Sequence, residues 1–190
     1  MVKYFILILL LISLTLLGCT EQRTILVQNT GNYDTTFNVK LNTTTVTNNA
    51  TETEVYSGTI DANTITEGKI LKLIAYGVVS TASAVDSVTI RFKVNGVTKQ
   101  TFIMTPRVVT NADFHLVGTA TQRTTGTTGS RASHQDICIE DVCESSNGVG
   151  VYNTEINNIL TITAQWNNAK VGNTFSLYQG FMENKNGVEV

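Results

Sequence analysis

The sequence predicts an all-β domain, an antiparallel β-sandwich of jelly-roll type, on three observations. It holds 31 Thr and 18 Asn, residues that disfavour helix interiors and suit pleated strands and turns. No segment beyond residue 18 keeps a 3.6-residue apolar period for three turns, so a helical bundle is excluded. Short alternating apolar and polar stretches recur instead between Gly-, Asn- and Thr-rich turns, and about eight to ten such strands suit a sandwich. With 190 residues, 13 Lys+Arg against 15 Asp+Glu, 15% charged and 42% hydrophobic residues, the chain is too apolar for disorder. It is also too weakly charged to suggest a polyanion-binding surface.

Residues 1–18 read as a signal peptide. Phe5 to Leu17 is almost wholly apolar and follows Lys3, yet spans only about 20 Å as a helix against a roughly 30 Å hydrocarbon core. Leu16-Leu17-Gly18-Cys19 resembles the bacterial lipobox, which makes Cys19 the candidate lipidation site. An ordinary signal peptide with a coincidental Cys, or an uncleaved short anchor, would leave Cys19 unmodified. Removing residues 1–18 takes one cation, Lys3, from the 13 and leaves 12 basic and 15 acidic residues, a charge of −3.

Residues 19–53 form a Thr/Asn-rich segment, read as a stalk, an edge strand or a piece that packs on a neighbouring subunit. Phe37, Val39 and Leu41 alternate with Asn38 and Lys40 as a half-buried strand would, and Asn42 to Thr53 reads as a linker or long loop. The sandwich domain is placed at 54–190. Val55 to Ile60 is its first strand, and Lys69 to Val79 is apolar enough to be central and covered on both faces. Val88, Ile90, Phe92 and Val94 alternate up to Asn95-Gly96, the pair favoured where both turn positions need positive φ, and Val97 to Met104 returns. In perfect register Phe102 and Met104 would point away from the apolar face, so a bulge is expected between Thr98 and Thr101. Asp113 to Arg123 is the next strand, followed by a flexible turn at Thr124 to Ser130. Leu160, Ile162, Ala164 and Trp166 form one inward stripe near the end, and Phe175, Leu177 and Phe181 form another.

Cys138 and Cys143 flank Ile139-Glu140-Asp141-Val142. A hairpin with Glu140-Asp141 at its tip sets the two Cys directly opposite, so a disulfide is expected in an exported chain, two reduced thiols being the alternative.

In order, these pieces resemble a recurrent module of tailed-phage virion structural and tail-fibre proteins. The resemblance rests on Ile60 to Gly77, the R-F-K-V-N-G-V-T cadence at Arg91 to Thr98, and Asn111 to Leu116 leading into Gln122 to Gly129. Above all it rests on Val151 to Trp166, which is similar to that family's D-T-T-x-x-N-T-L-x-L-T-A-Q-W segment and is followed by Ala169 and Gly172-Asn173-Thr174. It covers residues 54–184. The lipobox-like start, the Thr-rich segment and the Cys hairpin are not part of that module. The resemblance implies a jelly-roll-like sandwich, often oligomeric, with no catalytic residues to transfer.

The residues themselves specify no catalytic site, no metal site and no cofactor: there is no phosphate loop, nucleophile elbow or paired His at metal spacing. Asp113 and His115 share one strand face but lack a specified third partner. His134, Asp136, Glu140, Asp141 and Glu144 would hold Ca²⁺ only if their oxygens converged, and a solvated loop is the expected state. Trp166 belongs with the core stripe and is not expected to serve as a sugar platform. The expected function is that of a non-enzymatic virion structural protein, tail- or fibre-associated, acting in assembly or attachment and located in the virion. Its expected partners are further copies of itself, a trimer among the forms, other virion proteins, or a cell-surface receptor. Nucleic acid is not among them. The alternative is an exported lipoprotein at the cell surface, held to the membrane only through a lipid on Cys19, serving as adhesin, fibre subunit or superinfection-blocking protein.

Overall fold

A computed structural model describes the backbone of residues 35–40 and the whole of residues 42–185; the signal segment 1–18, Cys19 and Leu41 lie outside the described residues. The described residues contain eleven strands and no helix: β1 (Thr35–Lys40), β2 (Thr44–Thr47), β3 (Thr53–Ile60), β4 (Ile70–Ser80), β5 (Val88–Val94), β6 (Val97–Met104), β7 (Ala112–Gln122), β8 (Ser130–Ile139), β9 (Val142–Val151), β10 (Asn158–Trp166) and β11 (Thr174–Lys185). They form two antiparallel sheets. One has the order β1-β11-β4-β7-β8-β9, with β2 also on β11, and the other has the order β3-β10-β5-β6. From β2 to β5 the chain changes sheet at each connection, and it does so again from β6 to β7 and from β9 through β10 to β11. This wrapping is jelly-roll connectivity, in which β8 and β9 are an added hairpin that widens the larger sheet.

β1 and β2 pair with successive halves of one β11 edge, β1 through Gly180 to Asn184 and β2 through Thr174 to Leu177. Among the described residues the sheet thus includes strand from Thr35, ahead of Glu54, and part of the expected linker is strand. Only Val46 of β2 is buried, which explains why alternation did not reveal it.

Apolar residues fill the space between the sheets. Trp166, Tyr56, Phe114 and Phe175 are the largest fully buried side chains, and Phe114 meets Phe175 edge to face at 4.8 Å between ring centres. Leu160, Ile162, Ala164 and Trp166 are all buried. In β4 the inner residues Leu71, Leu73, Ala75 and Val79 are buried, while Tyr76 on the other face is 46% exposed. That strand is central, but its outer face is covered only in part, at Ile74, because the described residues place no third layer outside the sheet.

One-residue bulges set which residues enter the core. Phe92 pairs with Gln100 and Lys93 with Thr98, so Lys99 is the extra residue and Phe102 and Met104 turn inward, as the expected bulge requires. A second bulge overturns one expectation. Leu177 pairs with Gly77 and Gln179 with Tyr76, so Tyr178 is the extra residue and the inward phase passes to Gly180, Met182 and Asn184. Phe181 consequently faces outward and is only half-buried.

Gly180 carries the Tyr56 ring. A Cβ there would lie 2.6 Å from Tyr56 Cδ2, and Tyr56 is fully buried. At Gly150, near the end of β9, an added Cβ meets nothing within 4 Å. Gly180→Ala is therefore expected to lower unfolding free energy by about 1–3 kcal/mol in urea titration, as overpacking does. Gly150→Ala is expected to leave it unchanged or slightly raised. The β8–β9 hairpin sets Cys138 opposite Cys143 with Cα atoms 4.1 Å apart and sulfurs 2.06 Å apart. Native protein recovered from an oxidising compartment is expected to resist alkylation at both Cys until a reductant is added; prompt labelling without reductant would contradict that expectation.

Candidate functional site

Along β7, β8 and β9 the inward stripe changes character midway. Near the Cys end it is bulky and apolar, with Phe114 and Leu116 on β7 and Ile137 and Ile139 on β8, all nearly inaccessible. Towards the other end it shrinks to Gly118 and Ala120 on β7 and to Gly148 and Gly150 on β9, while β8 turns polar through Gln135, Ser133 and Arg131. Small residues opposite the facing sheet leave space. A cavity of about 170 Å³ lies there, walled on the apolar side by Leu71, Leu73, Phe92, Val94 and Leu160 and reached past Lys99 and Gln100 of β6. If dry, a void of this size forgoes on the order of 4 kcal/mol of packing at about 24 cal/mol per Å³. That is a large share of a domain's net stability.

The polar wall has a defined electrostatic character. Arg131 is mostly buried, and its guanidinium carbon stacks 3.9 Å from the centre of the Tyr152 ring. Burial pulls its pKa down from the ordinary value. No Asp or Glu among the described residues forms an ion pair with it. Ser133 Oγ donates to the Gly148 carbonyl at 3.4 Å, and Gln135 Oε1 is buried without a hydrogen-bond partner.

Beside the cavity the sandwich is open. β6 and β9 end their sheets and are edge strands among the described residues. The short Cα separation of Cys138 and Cys143 marks a non-hydrogen-bonded pair, so the amides of Glu144, Ser146, Gly148 and Gly150 bond to β8. Those of Ser145, Asn147, Val149 and Val151 point outward from the edge. Val149 and Val151 are 71% and 64% exposed, and no charged residue or Pro occurs from Ser145 to Val151.

Of the titratable residues singled out in the sequence, His134 and Asp136 lie on the outer face of the same sheet, whereas Glu144 stands opposite the inward-facing Ile137. His134 Nε2 is 2.9 Å from Asp136 Oδ2 and its Nδ1 is 2.7 Å from Asn147 Oδ1, while Ser145 Oγ donates to the other Asp136 oxygen. The hydrogen bond His134 donates to Asn147 Oδ1, then the one to Asp136, raises the His134 pKa; the bond from Ser145, then the one from His134, lowers that of Asp136. The carboxylate stands between Ser and His, so the imidazole does not face the hydroxyl and cannot take its proton, unlike the order that activates a nucleophile. Both ionic partners are nearly half exposed, where such a pair contributes little. Asp113 and His115 are also exposed, with His115 opposite Tyr76 and Cys138. Glu140 and Asp141 occupy the hairpin tip, and no three His, Cys, Asp or Glu among the described residues converge for a metal ion. Trp166 is buried in the core.

No family model and no curated protein matches this chain. Among solved structures it is similar to the CBM2 module of the evolved Dit of Lactobacillus casei BL23 phage J-1, at 12% identity over 70% of this chain and 70% of that chain, with a TM-score of 0.39. It is also similar to the VP2 subviral particle of infectious bursal disease virus, at 13% identity over 82% of this chain and 32% of that chain, with a TM-score of 0.29. Both are remote likenesses, and the strand order described above rests on this chain alone.

Proposed function

We propose that this chain is a non-enzymatic structural module of a virus particle that acts by joining copies of itself or neighbouring particle proteins through the open side of its sandwich. The observation that carries the reading is the β9 edge. Its outward amides and exposed Val149 and Val151 lack the charges and Pro that ordinarily keep edge strands apart. A strand laid against such an edge gains main-chain hydrogen bonds at every second residue. The resemblance of Arg91 to Thr98 and Val151 to Trp166 to tailed-phage structural modules supports the same reading.

A second reading is favoured by Leu16-Leu17-Gly18-Cys19: the same sandwich exported and tethered to a membrane by a lipid on Cys19, serving as adhesin, fibre subunit or superinfection-blocking protein. The two readings differ in the first residue of the native protein.

Sedimentation of the purified protein is expected to show concentration-dependent association, and the double substitution Val149→Lys and Val151→Lys is expected to return it to a monomer with an unchanged melting temperature. A wild-type protein that stays monomeric throughout, or a charged variant that assembles equally well, would defeat the reading. Intact mass decides between the locations: Met1 retained in purified particles supports the virion module, and a diacylated Cys19 supports the surface lipoprotein.

A further inference from the structure

We propose that the cavity between the sheets is a binding site for a small monocarboxylate with a compact apolar body, its carboxylate held by Arg131 and its body seated against Leu71, Leu73, Phe92 and Leu160. The size follows from the volume of the cavity, which is open on the side of β6 and β9. An apolar cavity of about 150 Å³ accommodates benzene, so about 170 Å³ admits one ring or an alkyl chain of similar bulk.

The charge follows from Arg131. A mostly buried cation without a counter-ion is unfavourable, and Arg131 stacks on Tyr152 with no acid paired to it among the described residues. A guanidinium is a planar fork of donors that matches the two oxygens of a carboxylate. The residues around it are small or hydroxylic: Gly148 and Gly150 leave the approach clear and Ser133 adds a second polar group at the same wall. Phe92, Val94 and Leu160 face it from the other sheet, Leu71 and Leu73 flank it from β4 of its own sheet, and no acid lines the site. The arrangement joins a polar end to an apolar end, which selects an amphipathic anion over a neutral hydrocarbon or a bare inorganic ion. This site does not depend on the assembly reading, and its failure would leave that reading untouched.

The test uses the full chain with benzoate, its neutral analogue benzyl alcohol, and phenyl phosphate as probes, followed by calorimetric titration and thermal melting. Benzoate is expected to bind and raise the melting temperature, with benzyl alcohol and phenyl phosphate each at least tenfold weaker. Gly150→Leu, which keeps Arg131 and has open space for its side chain, is expected to abolish binding of every probe without lowering the melting temperature of the free protein. Arg131→Gln is expected to reduce benzoate to the level of benzyl alcohol. Equal affinity for benzoate and benzyl alcohol, tighter binding of phenyl phosphate, undiminished binding to a folded Gly150→Leu protein, or no binding of any probe would each overturn the proposal.

Discussion

Two stacked sheets lie roughly 10 Å apart and hold together through the side chains that fill the space between them. In this protein the filling is dense where Trp166, Tyr56, Phe114, Phe175, Ile162 and Leu177 are packed without access to solvent. It stops under β7, β8 and β9, where Gly118, Ala120, Gly148 and Gly150 replace the bulky residues of the same inward stripes. Core, cavity and open edge are therefore consequences of one variable, side-chain volume along inward-facing positions. The cavity lies where the added β8–β9 hairpin extends the larger sheet.

Maintaining that filling depends on strand phase. A strand presents every second residue to the core, so one extra residue reverses every side chain beyond it. At Lys99 the extra residue turns Phe102 and Met104 inward. At Tyr178 it turns Phe181 outward and brings Gly180 beneath the Tyr56 ring, and at Val55 it lets Val55 and Tyr56 both be buried. The jelly-roll wrapping brings these strands together, and the bulges decide which faces meet.

How far the sequence could disclose this varies with the element. The Asn95-Gly96 turn declares itself because both positions take positive φ, and the Lys99 bulge is legible because Phe102 and Met104 would otherwise face water. The Tyr178 bulge is not legible, since Phe175, Leu177 and Phe181 look equally inward at a spacing of two or four; what displaces Phe181 is a long-range contact between Gly180 and Tyr56. β2 is hidden by its composition, with Val46 alone among Thr residues. The candidate site is hidden for a related reason. Gly148, Gly150, Ser133 and Arg131 read as turn or surface residues one by one, and become a cavity wall only when β8 and β9 are placed across from Phe92 and Leu160.

Assembly through β9 requires that its edge be free in the isolated chain and occupied in the assembled one. Amide hydrogen exchange measured residue by residue in dilute and concentrated protein addresses this most directly. In dilute protein the amides of Ser145, Asn147, Val149 and Val151 are predicted to exchange fast while those of Ser146, Gly148 and Gly150 are slowed by β8, and the fast set is predicted to slow on concentration. Uniform protection along β9 in dilute protein, or exchange at the outward amides that never changes with concentration, would contradict the account.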